Sequence, residues 1–127
     1  MIKGEKWLLE KGLYVSLPIN MQILFDSAER DVLNTIRHCN NLGEKFISLS
    51  CIQLMTGLTD KTIRKARDRL LDMGFIKQVS ICKLGTQFEV NYGKLCNAIG
   101  KLNSIKTPQD RLVEVNKIRG DKYLKYK

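Results

Sequence analysis

The sequence is poor in the residues that build metal sites and catalytic centres. It has one histidine, His38, and its four cysteines are scattered at positions 39, 51, 82 and 96, so that no two form a CxxC pair. Because zinc sites need four such ligands at short spacings, we expect no metal site. No pair of a nucleophile and a base, no glycine-rich phosphate loop and no pair of catalytic carboxylates is apparent. We therefore expect no enzyme, no cofactor and no small-molecule ligand.

Long apolar stretches are missing as well. No run reaches the roughly 18 apolar residues of a membrane-spanning helix. The N-terminal residues carry charges that leave no apolar segment for a signal peptide, at Lys3, Glu5, Lys6, Glu10 and Lys11. We expect a cytoplasmic protein whose cysteines are free and mostly buried thiols in a reducing compartment.

The sequence does contain an excess of positive charge, and this excess lies in one half of the chain. The 127 residues include 22 basic and 13 acidic side chains, for a formal net charge of +9. Residues 1–58 hold six of each and are neutral, so residues 59–127, with 16 basic and seven acidic side chains, carry all of the excess. Such a balance favours an anionic partner, such as nucleic acid or an acidic membrane surface.

Hydrophobic periodicity predicts a chain built mainly from helices, after an N-terminal arm over residues 1–25. Apolar residues at helical spacing, with capping and stop residues at their ends, predict five helices, over 27–41, 49–56, 59–73, 92–103 and from 107 onward. Alternating residues predict two short strands, over 13–17 before Pro18 and over 44–48. The last nine residues are basic, and we expect them to be frayed.

A β-hairpin is predicted between the third and fourth helices, where the apolar period changes to two. With a turn centred on residues 84 and 85, Ile81 would face Phe88 and Val79 would face Val90. All four apolar side chains would then lie on one face of the hairpin. The fold class that follows is mainly α with a small β-hairpin (α+β).

The predicted helix over 59–73 has one apolar and one basic side. Its apolar residues recur at i, i+3, i+7 and i+10 and predict the buried face, at Ile63, Ala66, Leu70 and Met73. The opposite side carries basic side chains, with hydroxyls near the helix N-terminus, where phosphates are favoured. We predict DNA contacts at Thr59, Lys61, Thr62, Arg64 and Lys65. Lys83 in the hairpin turn is a further candidate for a phosphate contact, and a solvated turn residue is the alternative.

Residues 46–76, "FISLSCIQLMTGLTDKTIRKARDRLLDMGFI", resemble winged helix-turn-helix domains of bacterial and phage transcription regulators and of phage or plasmid replication initiators. The matching pieces are Ser48, "TGLT" at the turn, "TIRKA" in the third helix and "RLLDMGFI" before the hairpin. An upstream "SLP" is also similar to the replication initiators. The resemblance implies a winged helix-turn-helix over residues 26–92, with its third helix in the major groove. Additional C-terminal helices would form an extension over 93–127.

This sequence departs from the family at Asp60, which stands where a basic residue is common. A carboxylate there repels phosphate, although it suits the positive end of the helix dipole and could accept a hydrogen bond from a cytosine amine. Two further basic residues have two possible roles. Arg67 and Arg69 either contact DNA or form salt bridges with Asp68, Asp72 or the first helix.

We expect a sequence-specific double-stranded DNA-binding protein that acts as a small transcription regulator of phage or mobile-element origin. One alternative is the DNA-binding domain of a replication initiator or replisome organiser. Another is an adaptor whose winged helix docks an acidic protein. Residues 93–127 are the candidate for a homodimer interface, and no membrane partner is expected. The tail lysines and tyrosines could clamp DNA or form a disordered tail, and a disordered tail is favoured.

Overall fold

The chain is mainly α-helical with one antiparallel two-stranded sheet over residues 17–126, the part that this computed structural model describes. This confirms the predicted α+β class. The helices are α1 Leu17–Leu24, α2 Ser27–Asn41, α3 Leu49–Thr56, α4 Asp60–Met73, α5 Tyr92–Ser104 and α6 Pro108–Arg119. The strands are β1 Ile76–Cys82 and β2 Gly85–Val90, and a 3-10 turn spans Asp121–Tyr123.

The described residues divide into two compact units, each with its own buried apolar residues. The central unit consists of residues 27–91 and holds α2, α3, α4 and the hairpin. The terminal unit combines residues 17–26 with residues 92–126, so that α1 packs with α5 and α6. The two ends of the described chain therefore share one core.

Helix α1 replaces part of a predicted strand. The alternation over residues 13–17 predicted a strand that ends at Pro18, but the chain is helical from Leu17 onward. Residues 13–16 lie outside the described part. A proline in the first helical turn is tolerated because its missing N–H would have no intrahelical partner there. Met21 and Leu24 of this helix are buried in the terminal unit.

The core of the central unit confirms the predicted buried face of α4. It also confirms most of the apolar face that helical spacing predicts for α2, at Ala28, Val32, Leu33, Ile36 and Cys39, although Ala28 is only half-buried. The four apolar positions of α4 are buried, as are four apolar positions of α2, namely Val32, Leu33, Ile36 and Cys39. Helix α2 packs against α3, α4 and β2, while α4 also packs against α3 and β1. Because α4 buries one side against these elements, its basic side lies at the surface of the unit.

The hairpin forms where it was predicted, but in a different register. Its turn lies at residues 83–84, one residue earlier than expected, and Cys82 pairs with Gly85. The register then shifts between Gln78 and Ser80, which places a bulge at Val79. The predicted pairs Ile81–Phe88 and Val79–Val90 are therefore wrong, because Phe88 lies opposite Gln78 and Ile81 lies opposite Thr86 in the sheet.

This register also changes which hairpin residues are buried. Phe88 is 4% exposed and Ile76 is buried, whereas Val79 is 43% and Ile81 is 67% exposed. The predicted single apolar face is thus wrong. A one-residue change of register moves a side chain to the other face of a strand, and the bulge adds a second change.

The predicted strand over 44–48 is reduced to one bridge, between Ile47 and Thr86. The two residues exchange hydrogen bonds, from Ile47 N to Thr86 O at 2.9 Å and from Thr86 N to Ile47 O at 3.0 Å. Gly85, beside this bridge, has a φ of +139°, and a Cβ there would lie 2.4 Å from the Ile47 carbonyl oxygen. Only glycine allows this close approach of two backbones.

The described C-terminal residues up to Tyr126 are not frayed, which corrects the prediction for them. The Lys125 ammonium donates to three carbonyl oxygens at the end of α1, those of Gln22 at 2.7 Å, Ile23 at 3.0 Å and Phe25 at 2.9 Å. The Tyr126 hydroxyl also donates to the Ile23 oxygen, at 3.0 Å. A cation there satisfies carbonyls that have no intrahelical donor and opposes the negative end of the helix dipole.

Buried Arg119 holds the same segment from the side of α6. Its Nη1 donates to the Leu24 oxygen at 3.0 Å and its Nε to the Tyr123 oxygen at 2.6 Å. The side chain of Asn116 accepts from the backbone N–H groups of Lys125 and Tyr126, both at 3.1 Å. Lys125 and Tyr126 are therefore part of the terminal unit.

All four cysteines are free, as expected, but only two are buried. Cys39 and Cys96 lie in the core, Cys51 is half-buried and Cys82 is exposed on the hairpin. Burial is the main reason that the pKa of the Cys39 thiol is raised, and neighbouring Cys51 and then Glu44 raise it further. Cys39 therefore stays a neutral thiol over a wider pH range than an exposed cysteine.

Candidate nucleic-acid interface

A turn of three residues separates α3 from α4, and local side chains define both of its ends. The Ser48 hydroxyl caps α3 by accepting from the Cys51 N–H at 3.0 Å. Gly57 ends α3 with a left-handed φ of +75°, and its N–H donates to the Gln53 oxygen at 2.8 Å. Thr59 then caps α4. A left-handed residue that favours glycine and a hydroxyl N-cap account for a helix pair joined this tightly.

The two threonines at the start of α4 form a pair, so only one hydroxyl hydrogen is available for a ligand. Thr59 Oγ1 accepts from the Thr62 N–H at 3.3 Å and donates its own hydrogen to Thr62 Oγ1 at 2.9 Å. The Thr62 hydroxyl hydrogen has no acceptor within residues 17–126. Both hydroxyls thus lie at the start of α4, where Thr59 is also the N-cap.

The predicted basic contacts of α4 lie at the surface. Lys61, Arg64 and Lys65 are all exposed, while Ile63 between them is buried. Neither lysine has an ion-pair partner in the described part of the chain. The structure thus brings three cations of one helix to one solvent-facing side, within two helical turns.

Arg64 has one polar partner within residues 17–126, the carboxylate of Asp60. Its Nε lies 2.7 Å from Asp60 Oδ1, and both side chains are about half exposed, at 55% and 53%. An exposed ion pair one helical turn apart contributes only about 0.3–0.5 kcal/mol to stability. Its effect is therefore mainly on the orientation of the guanidinium. This ion pair was not among the predicted contacts, although acidic and basic residues at i and i+4 regularly meet on a helix.

Arg67 and Arg69 form the salt bridges that the sequence left as one of two alternatives. Arg67 Nη2 lies 3.0 Å from Asp68 Oδ1. Arg69 Nη1 lies 3.9 Å from Glu29 Oε2, whose side chain is fully buried in α2. Because a buried carboxylate needs polar partners, Arg69 is better explained as a link between α2 and α4 than as a DNA contact.

The hairpin tip presents one cation between exposed apolar side chains. Lys83 lies in the turn, is exposed and has no polar partner within residues 17–126. Leu84 beside it is 74% exposed, and Ile81 is also exposed. Lys77 adds a second exposed cation on β1. Lys83 was predictable from the sequence, whereas the exposure of Ile81 apart from Phe88 was not, because the bulge has no clear signal in the sequence.

The positive excess is divided unequally between the interface and the C-terminal helices. Residues 59–91 hold seven basic and four acidic side chains, for a net charge of +3, whereas residues 92–127 hold nine and three, for a net charge of +6. Several of the latter cations have internal partners. Lys101 pairs with Glu114 at 3.3 Å, and Arg111 donates to the Ile105 oxygen at 2.7 Å. With the tail contacts above, much of this charge serves the fold.

Comparisons with protein-family models, with curated proteins and with solved structures found no match to the chain. The described residues contain no group of three or more histidine, cysteine, aspartate or glutamate side chains that could hold a metal ion. Over the same residues, no helix is long and apolar enough to cross a membrane.

Proposed function

We propose that the chain is a sequence-specific double-stranded DNA-binding protein with a winged helix-turn-helix, and that it acts as a small transcription regulator of phage or mobile-element type. The observation that carries this proposal is the two-sidedness of α4. Its four apolar residues are buried, and its free cations Lys61 and Lys65 and the paired Arg64 are exposed together. An α-helix with its side chains is about 10–12 Å wide, which matches a major groove about 12 Å wide.

The residues of the candidate interface divide into those that hold the backbone and one that reads a base. Lys61 and Lys65, one helical turn apart on the same side of α4, act as point charges for backbone phosphates, and the Thr62 hydroxyl suits a phosphate oxygen. Lys83 reaches a flanking phosphate from the hairpin. Arg64 has the planar fork that matches the O6 and N7 acceptors of guanine, so it is the base-reading residue.

A salt series on duplex binding tests this assignment. Three lysine contacts predict a slope of about −2.7 in a plot of log K against log salt, which is roughly a 40-fold loss of affinity between about 50 and 200 mM salt. Replacing Lys61, Lys65 or Lys83 by alanine should make the slope less negative by about 0.9 in each case. Each replacement should also reduce the affinity for all duplexes by the same factor. Lys45, which stacks on the neighbouring Phe46 ring, provides the control, because Lys45→Ala should leave the slope unchanged.

If no duplex changes the electrophoretic mobility of the protein–DNA mixture at about 50 mM salt, DNA binding is contradicted and the adaptor is favoured.

The type of binding site separates the two DNA-binding functions. Selection of bound fragments from random duplexes should yield a palindrome if the protein is a dimeric regulator, since two-fold protein symmetry requires it. Direct repeats would favour a replication initiator. Light scattering on the full chain over a range of concentrations tests whether it forms the dimer that the regulator requires.

A further inference from the structure

We propose that Asp60 is a positioning residue that sets base specificity by holding Arg64 in the orientation that reads guanine. This inference rests on the proposed DNA-binding function. It gives a role to Asp60, which stands where the resembling family commonly has a basic residue. It depends on one contact, between Asp60 Oδ1 and Arg64 Nε at 2.7 Å. Both side chains lie on the exposed side of α4, one helical turn apart.

The chemistry of the guanidinium makes this contact informative. Arginine carries five N–H donors, one on Nε and two on each terminal nitrogen. The carboxylate takes the Nε donor, and no other polar contact of Arg64 occurs within residues 17–126. Both terminal nitrogens therefore keep their hydrogens, in the plane that Asp60 defines. Two parallel donors at the end of a planar fork are what the O6 and N7 acceptors of one guanine require.

The contact also lowers the entropic cost of binding. A free arginine side chain on a helix surface samples many rotamers and loses them when it docks. Side-chain immobilisation of this kind corresponds to roughly a 2- to 12-fold change in affinity for the site that is read. Because Asp60 restricts the rotamers of Arg64 before DNA arrives, removing Asp60 should reduce affinity for the preferred site by a factor in this range.

The same carboxylate has the opposite effect on duplexes that offer no guanine at the right position. A negative charge near the phosphates repels them, so it weakens non-specific binding. Asp60→Ala should therefore leave random-duplex affinity unchanged or higher while it lowers preferred-site affinity. A purely structural role at the start of α4 would weaken binding to both duplexes together. These two outcomes separate a positioning role from a stabilising one.

The experiment compares dissociation constants for two duplexes at one salt concentration. The first duplex is the preferred site selected with the wild-type chain, and the second is a scrambled duplex of the same length. The proteins are wild type, Asp60→Ala, Arg64→Ala and the double variant. Asp68→Ala is the matched control, because Asp68 is an exposed acid of the same helix that pairs with Arg67 instead. Asp60→Asn keeps an acceptor for Nε without the charge, in case the alanine variant lacks the wild-type circular dichroism.

We expect Asp60→Ala to reduce the ratio of preferred to scrambled affinity about 2- to 12-fold, whereas Asp68→Ala leaves that ratio unchanged. In the Arg64→Ala background, Asp60→Ala should have no further effect on the ratio, since the two residues act as one unit. A ratio unchanged by Asp60→Ala, or reduced equally with and without Arg64, would overturn the positioning role and leave DNA binding intact. Failure of the wild-type chain to bind any duplex, or to prefer one, would overturn the proposed function itself and this role with it.

Discussion

Replacing Gly85 by alanine tests whether the hairpin is held by close contact between two backbones. In the structure, Gly85 has a φ of +139°, and a Cβ built there meets the Ile47 carbonyl oxygen at 2.4 Å and the carbonyl carbon at 2.5 Å. These atoms belong to the main chain, so they cannot move aside as the end of a side chain would. The alanine variant must therefore separate residue 85 from residue 47.

The expected cost has two parts. Holding a residue with a Cβ at this φ costs about 1–3 kcal/mol. Separating the strands weakens the two hydrogen bonds exchanged by Ile47 and Thr86, each with a net contribution of about 0.5–1.5 kcal/mol. We therefore expect Gly85→Ala to lower the free energy of unfolding of the central unit by roughly 2–6 kcal/mol.

Gly43→Ala is the matched control for this experiment. Gly43 also has a positive φ, +81°, but a Cβ there meets nothing within 4 Å. It should cost only the backbone strain of a left-handed residue, about 1–2 kcal/mol. Urea unfolding followed by far-ultraviolet circular dichroism gives both values, and hydrogen exchange at the Thr86 amide reports on the bridge itself. If Gly85→Ala costs no more than Gly43→Ala, the close approach does not hold the hairpin.

Two further predictions concern helix ends, and urea unfolding measures both. Lys125→Met removes the cation that binds three carbonyls at the end of α1, and should destabilise the terminal unit by about 2 kcal/mol. Lys117 is exposed and has no partner within residues 17–126, so Lys117→Met should change stability by less than about 0.5 kcal/mol; equal effects would contradict the cap. Ser48→Ala should cost about 1 kcal/mol by removing the cap of α3. Ser50→Ala should lower the free energy of unfolding clearly less than Ser48→Ala. A larger effect of Ser50→Ala would identify Ser50 as the cap instead.

The candidate site was predictable where it depends on helix periodicity. The apolar side of α4 could be identified from its spacing alone, because a helix has a known period and an apolar stripe must be covered. Its exposed cations follow from the same period. The ion pair of Asp60 with Arg64 also follows from sequence spacing, because residues at i and i+4 lie next to each other on a helix.

Other features of the site required knowledge of residues distant in the chain. The sequence alone is compatible with Arg69 contacting either DNA or an acidic side chain. The fold places the buried carboxylate of Glu29 3.9 Å from Arg69. The tail lysines could have been free cations, but Lys125 caps a helix about 100 residues earlier in the chain. Side chains of this kind have several possible partners, and only the packing of the helices selects one.

The amino-acid sequence by itself determined the helix boundaries around the turn, the buried and exposed sides of α2 and α4, and the existence of a hairpin after residue 74. These features depend on interactions within a few residues, namely caps, left-handed glycines and apolar period. Only the tertiary structure decided the hairpin register, the packing of α1 with the C-terminal helices and the internal use of the tail cations. The reason is that each of these depends on which distant backbone groups lie close enough to accept a hydrogen bond or to exclude a side chain.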